Sequence, residues 1–487
     1  MNSLEQRIKN FGAEKIFVAL FLFVGVMILF TRPPYQLMDE INHFARTWQI
    51  SEGIFLSPTT TIGDFIRGEH RSKKIFSFDD TAPPDTWRDN IYIAEVPTSF
   101  LPEVFIADAK EKHFVHAFKL ADVKNFLATP LNVQDRELVM IPQTGVYPPP
   151  TYLPQAVVAI IGRELNLNAG IIFYAMGLSG LLFNAACVFA AMKLLPDAKP
   201  LIFLLAMMPM FLVEAASTSA DAVTYGACIF ATAWLLSLRR STEKFSRAEI
   251  FGLIILAAVI AACKSVYGTI LLLYFFIPRE RVDNSAKKFW AFGIFLLAVN
   301  LSTALIWTEL SVTAAGVEFY TSRYHGDLTA DIAAQKVFVA EHPEAFFAAM
   351  INSLAYFKTW YAVSFIGTWS PQCDVTLPPI FYLLYGVTLI FFALSCAVPV
   401  KPLERAVMLL AAAMSVVAFF MMDYVIWSSV GGNMVYGIQG RYFIPLAPMV
   451  FVSMSFLPTM RRQNSIALFA GIFAGIMTLL TNFFAFY

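Results

Sequence analysis

The sequence predicts an all-α integral membrane protein, a bundle of about 11 transmembrane helices with two long segments outside the bilayer. Three observations predict it. Of 487 residues, 58% are hydrophobic and only 14% are charged, with a mean hydropathy of +0.62, which is too apolar for an ordinary soluble domain. Apolar runs long enough to cross a hydrocarbon core, which takes about 17 to 25 residues, recur along the chain. Lysine and arginine collect in alternate connections between those runs. The formal net charge of +0 gives no basic field to attract nucleic acid, so the lipid bilayer is the expected surrounding and no nucleic-acid partner is expected. The chain reads as a single domain, residues 1–487.

The first run, Ile16 to Phe30, follows Arg7, Lys9 and Lys15, the arrangement of a secretory signal. It is expected to be retained, because Thr31-Arg32-Pro33-Pro34 follows instead of a small-residue cleavage site. The prolines stop the helix, since neither ring nitrogen can donate to a continuing turn. Further runs are expected at about 169–192, 199–216, 220–238, 248–263, 266–278, 287–308, 379–399, 404–428, 442–459 and 464–485. The run at 266–278 is the shortest and is expected to tilt, break or re-enter.

Orientation follows from the positive charges. With the N-terminus inside, the inside loops hold Lys193 and Lys199; Arg239, Arg240, Lys244 and Arg247; Arg279, Arg281, Lys287 and Lys288; Lys401 and Arg405; and Arg461 and Arg462. The short outside loops hold only Lys264 and Arg441, as the charge rule for membrane proteins requires. Residues 32–168 and 309–378 then form two large extracytoplasmic segments. They mix aromatic and apolar residues with charges, which suits folding at the membrane surface. Leu37, Ile41, Phe44, Ala45 and Trp48 have the spacing of an amphipathic surface helix. A second is expected from Tyr152 to about Glu164 and a third around Ala333 to Phe347. The five cysteines lie almost entirely in apolar runs, Cys373 being the exception, so no disulfide framework is implied.

The outer side carries the candidate chemistry. Asp39 and Glu40 follow the first span; adjacent on a helix, they point about 100° apart, so one of them is expected to act. A partly desolvated carboxylate can take a proton from an attacking hydroxyl, or ligate a divalent metal such as Mg or Mn. The plain alternative is two solvated acids in a first helical turn. His43 and Arg46 share a helical face with Asp39, as any wet amphipathic face would arrange. Lys264 either snorkels or faces a cavity, where an ammonium suits a phosphate. Arg441 is an outer-edge cation whose fork can hold phosphate oxygens in pairs, and Gly437 and Gly440 beside it allow close backbone approach. Asp221 is either part of a helix cap after Ser217 and Ser219 or a partner in the cleft. Glu214, inside an apolar run, either pairs with Lys264 or caps a cavity. Tyr147, Tyr267, Gln439 and Tyr442 complete the outer set. No phosphate loop, dinucleotide fingerprint, zinc spacing or nucleophile elbow is present.

These residues resemble a bacterial family of polytopic membrane proteins of unknown function related to the GT-C glycosyltransferases. The carrying motifs are Pro33-Pro34 with Asp39-Glu40-x-x-His43-Phe44, Tyr147-Pro148-Pro149, Pro209-Met210 with Ser217-x-Ser219-x-Asp221, Lys264, and Gln439-Gly440-Arg441-Tyr442. The resemblance implies a GT-C-like bundle in the inner membrane with a periplasmic active site. It implies transfer of a sugar from a polyprenyl-phosphate donor to a glycan or glycolipid acceptor, with Asp39 or Glu40 at the reaction centre and Arg441 and Lys264 on the donor phosphate. In size and layout the chain is also similar to the serotype-converting glucosyltransferases of bacteriophages. The rival expectation, a transporter or flippase for lipid-linked saccharides, calls for charges near the bilayer midplane and a repeated architecture; neither is evident in the sequence.

Overall fold

A computed structural model describes residues 2–68, 90–106, 118–316, 331–460 and 462–487; parts of both long segments, and Arg461, lie outside the described residues. Helix α1 (Asn2–Phe11) leads into α2 (Ala13–Thr31), the first apolar run. The first long segment follows, with α3 (Glu40–Ser51), β1 (Thr59–Thr61), α4 (Ile62–Arg67), β2 (Asn90–Pro97), α5 (Leu120–Ala128), β3 (Arg136–Met140) and α6 (Leu153–Glu164). Two of these, α3 and α6, are the expected surface helices.

The strands, which the helical reading does not contain, pair antiparallel in the order β1-β2-β3, with Tyr92 opposite Thr59 and Ala94 opposite Val139. β1 is three residues long, too short for an alternating pattern to reveal. The sheet braces α3, where Gln49 donates to the Ile93 carbonyl at 3.0 Å.

The bundle continues with α7 (Ala169–Leu194), α8 (Lys199–Ala206), α9 (Pro209–Ala215), α10 (Ala220–Leu238), α11 (Arg247–Cys263), a 3-10 helix (Ser265–Phe276) and α12 (Ala286–Thr308), which runs on as a π turn to Thr313. The second long segment holds α13 (Ile332–Glu341), α14 (Pro343–Tyr356), α15 (Lys358–Ile366) and a small hairpin of β4 (Thr368–Trp369) with β5 (Val375–Thr376). The expected helix at Ala333–Phe347 is therefore two helices, broken at His342-Pro343, where proline cannot donate. The chain closes with α16 (Pro379–Leu394), α17 (Pro402–Trp427), a 3-10 turn (Gly440–Leu446), α18 (Ala447–Ser453) and α19 (Gln463–Phe486).

Among the described residues six helices are long and apolar enough to cross a membrane: α2, α7, α10, α12 with its π turn, α17 and α19. A seventh arises if α8 and α9, bent by 78°, count as one span. The expected eleven is thus not reached by regular long helices. Pro209 interrupts the run at 199–216, the run at 266–278 is wound as a 3-10 helix, and the run at 442–459 divides into a 3-10 turn and a two-turn helix.

Helix α10 is the axis, with 83% of its apolar window buried against 22% for α12 at the rim. It packs on α7 where Gly226 meets Asn184, a small-residue contact that lets two backbones approach.

Contacts between distant segments define two ends. At one, Asp197 pairs with Arg240 at 2.6 Å, Arg239 with Glu404 at 2.8 Å, and Glu5 accepts from Asn464 and Ser465 at 2.8 Å. At the other, the Trp307 indole donates to the Val146 carbonyl at 2.6 Å, the Phe118 amide to the Phe486 carbonyl at 2.8 Å, and Tyr92 to the Ser311 carbonyl. The two long segments therefore lie together at one end, and the Lys/Arg-rich connections at the other.

Glycine at 440 is dictated by packing: a Cβ there would lie 1.9 Å from the Tyr361 carbonyl oxygen, against 3.7 Å to the nearest atom at Gly386. Gly440→Ala is expected to cost about 1–3 kcal/mol or more by overpacking, seen as a lower melting temperature in detergent. Gly386→Ala, on a helix with room, should be neutral or stabilising by up to about 1 kcal/mol.

Candidate functional site

The site forms at the end that carries the two long segments, around a loop held by four hydrogen bonds from three elements. Trp360 donates to the Ile438 carbonyl at 3.1 Å, the Gly440 amide to Ser364 Oγ at 2.7 Å, Tyr225 to the Arg441 carbonyl at 3.2 Å, and Tyr267 to the Tyr442 carbonyl at 2.9 Å. Gly440 therefore serves the approach of the loop to α15 and not the approach of a ligand. The Tyr267 ring is fully buried, so it positions Tyr442 from behind. Arg441, 4% exposed, sends Nη1 to Glu214 Oε1 at 2.5 Å and Nη2 toward Asp39 Oδ2 at 3.9 Å. Glu214 comes from α9, placed there by the bend after α8. Its partner is Arg441 and not the expected Lys264. Arg441 Nε and Glu214 Oε2 are buried without hydrogen-bond partners, and buried polar atoms of this kind are rare.

The second cation is built similarly. Lys264 ends α11, with Nζ 3.5 Å from Asp221 Oδ1 and 4.3 Å from the centre of the Tyr442 ring, with the Tyr147 ring at 5.9 Å on another side. An ammonium over aromatic faces is held by their quadrupoles. Tyr442 is itself stacked on Phe419, and Arg441 lies 5.7 Å from the same Tyr442 ring, so both cations flank one side chain. At the head of α10 the cap is Ser219, whose hydroxyl accepts from the Asp221 amide. Capping therefore does not consume the Asp221 carboxylate.

The two adjacent acids differ in every respect. Glu40 is 1% exposed and bidentate to Arg32, whose guanidinium also donates to the Ala216 carbonyl at 3.2 Å. Asp39 precedes α3 in the left-handed region, φ 59 and ψ 8, and makes no side-chain cap bond; its side chain is 34% exposed. A non-glycine residue held there is strained and is found where surrounding structure over-determines it. Burial among protein atoms lifts the Asp39 carboxyl above its ordinary range, the nearby Asp221 adds to this, and Arg441 and Lys264 oppose it.

The rest of the predicted set is distributed around these. His43 Nδ1 lies 2.7 Å from the Tyr152 hydroxyl; burial pushes the imidazole down to about 3, so it is neutral. Arg46 is fully buried and spends its guanidinium on Gln49 and the carbonyls of Ile54, Phe55 and Tyr147, which ties α3 to the entry of α6 and leaves the guanidinium committed away from Asp39, Lys264 and Arg441. Gln439 Nε2 is 2.8 Å from Met38 Sδ, which also meets Cys373 Sγ at 3.9 Å. The site thus brings together Asp39, Tyr147, Asp221, Lys264, Gln439, Arg441 and Tyr442. It adds Glu214 as the anchor of Arg441, a role signalled in sequence only by a carboxylate inside an apolar run. Among the described residues no three of His, Cys, Asp and Glu converge to hold a metal ion. Chemically, the arrangement offers one partly exposed carboxylate facing two cations, each backed by its own acid.

The model of one family, described as a predicted membrane protein (DUF2142), matches residues 22–450. The chain belongs to this family; the matched stretch holds the whole site and ends before α19. No curated protein and no solved structure matches.

Three substitutions test this assignment through stability. Glu40→Gln leaves the Arg32 charge buried against a neutral amide and should cost about 3–5 kcal/mol, whereas Asp39→Asn, another residue that tolerates the left-handed region, should change the melting temperature little. His43 is neutral in the fold but takes a proton in the unfolded chain below its ordinary value of 6.5. Its contribution is therefore intact above about pH 6.5 and lost progressively toward pH 3. His43→Gln should flatten the acid side of the melting-temperature profile relative to wild type.

Proposed function

We propose that this member of the DUF2142 family is a GT-C-type membrane glycosyltransferase, a hexosyltransferase that moves a sugar from a polyprenyl-phosphate donor to an extracytoplasmic glycan or lipid-linked acceptor. The observation that carries the reading is Asp39, a strained and partly exposed carboxylate with no capping duty, 3.9 Å from Arg441 and within electrostatic reach of Lys264. Glu40 is spent on Arg32, so the base is Asp39. An acceptor hydroxyl beside Asp39 gives its proton to the carboxylate as its oxygen bonds to the anomeric carbon. The bond between that carbon and the phosphate oxygen breaks, and the electron pair leaves on polyprenyl phosphate. Arg441 and Lys264 meet the charge that grows there; held by Glu214 and Asp221, they need little reorganisation as it develops.

The reading includes eleven crossings with the N-terminus cytoplasmic, in the bacterial inner membrane, and the site in the periplasm. Three features support it. The two long segments touch one another, which requires an even number of crossings between Thr31 and Glu309. The Lys/Arg-rich connections gather at the opposite end. Finally, a 12-residue 3-10 helix rises about 2.0 Å per residue, so Ser265–Phe276 reaches about 24 Å where an α-helix of that length would reach about 18 Å.

One observation favours the transporter or flippase alternative. The sharp bend between α8 and α9, with buried Glu214 just beyond it, is the kind of broken helix that transporters use at binding sites. The experiment that separates the two is release of polyprenyl phosphate from polyprenyl-phosphate hexoses by detergent-purified protein given a membrane glycolipid extract. The expected outcome is release by wild type, a loss of about 10²–10⁴-fold in Asp39→Asn, and a melting temperature unchanged by that substitution. Movement of the lipid-linked sugar across liposomes with no release would support the alternative.

A further inference from the structure

One carboxylate near the site has no use in the mechanism above. Asp423 lies in the last turns of α17 and is 4% exposed. Its main-chain carbonyl takes a hydrogen bond from Ser428, but among the described residues nothing bonds to or pairs with its carboxylate. Its oxygens are not among the fully buried polar atoms, so this little-exposed carboxylate keeps an opening through which a ligand can reach it. It lies within electrostatic reach of Lys264, Tyr442 and Tyr361, the first two being walls of the cleft. The Tyr361 hydroxyl is buried and without a hydrogen-bond partner.

The residue over this carboxylate is Gly437, exposed and held at φ +90. A Cβ there would lie 3.0 Å from Asp423 Oδ2 and 3.2 Å from Cγ of Trp427. Any side chain at 437 would close over the carboxylate, and the glycine leaves that approach open. A carboxylate without a protein partner under a glycine, together with the unpartnered Tyr361 hydroxyl, forms a place for hydroxyl groups: the carboxylate accepts charge-assisted hydrogen bonds, and the tyrosine can donate or accept.

We infer that Asp423 and Tyr361, uncovered by Gly437, form the subsite that reads the hydroxyl groups of the transferred sugar and selects a neutral hexose over a hexuronic acid. The inference rests on the glycosyltransferase reading. It extends that reading to the sugar, because Asp423 brings a negative charge to the side of the site where no phosphate is held. A second carboxylate on the ring would face Asp423 and be disfavoured, which is selection by repulsion.

The test is direct binding to protein in nanodiscs, with three probes: bare polyprenyl phosphate, polyprenyl-phosphate hexose and polyprenyl-phosphate hexuronic acid. In wild type the hexose should bind about tenfold more tightly than bare polyprenyl phosphate, the increment of one or two hydrogen bonds to a charged group, and more tightly than the hexuronic acid. Asp423→Asn and Tyr361→Phe should each erase most of the hexose increment and leave the affinity for bare polyprenyl phosphate unchanged. Asp423→Asn should also narrow the gap to the hexuronic acid. A hexose increment that survives both substitutions, or a wild type that prefers the hexuronic acid, overturns the subsite alone. The second comparison needs no variant, so it stands even if a substitution harms folding. A wild type that binds none of the three lipids overturns the glycosyltransferase reading, and the subsite with it.

Discussion

The ion pair between Arg441 and Glu214 is the constraint from which the rest of the site follows. A guanidinium at 4% exposure needs a partner that is equally withdrawn from water, since an uncompensated charge there would cost several kcal/mol. The partner comes from α9, and α9 can deliver it only because the chain bends by 78° after α8. The loop that carries Arg441 is in turn fastened by Trp360, Ser364, Tyr225 and Tyr267, contributed by α15, α10 and the 3-10 helix. The broken helix, the unusual 12-residue 3-10 helix and the tight packing of Gly440 on α15 can thus be understood together. They bring irregular backbone to one place, and irregular backbone at the edge of a bilayer is tolerated where protein or a cavity surrounds it.

The same charge logic separates residues that hold the site from residues that face it. Glu40, with both oxygens on Arg32, and Arg46, with all three nitrogens bonded to carbonyls or to Gln49, are closed arrangements whose charged groups are already committed. Asp39 is open: it has no cap bond, it keeps a third of its surface, and its nearest cation is 3.9 Å away. A loosely held carboxylate beside firmly held cations suits a group that must exchange a proton while its surroundings stay still.

Much of this was legible in the sequence. Composition and the placement of lysine and arginine gave the membrane class and the grouping of the two long segments. The motifs around Asp39, Asp221, Lys264 and Arg441 named residues that the fold does bring together, although they are separated by up to 402 positions. What stayed hidden has physical causes. Spacing alone could not separate Asp39 from Glu40, because the distinction lies in a left-handed φ and in an arginine eight residues upstream. Apolar runs at 199–216 and 442–459 look continuous because hydropathy is blind to a proline-induced break. The sheet stays hidden because its strands pair across long stretches of chain, which spacing within any one of them does not report, and Glu214 finds its partner 227 positions away.

The central claim is that the cleft between Asp39, Arg441 and Lys264 holds a lipid phosphate. The most direct measurement is an electron cryomicroscopy structure of the protein in nanodiscs saturated with polyprenyl phosphate. The account predicts phosphate density between Arg441 and Lys264, with Asp39 facing it and the prenyl chain leaving toward the bilayer. Density for the phosphate at the opposite, Lys/Arg-rich end, with the cleft empty, would contradict it.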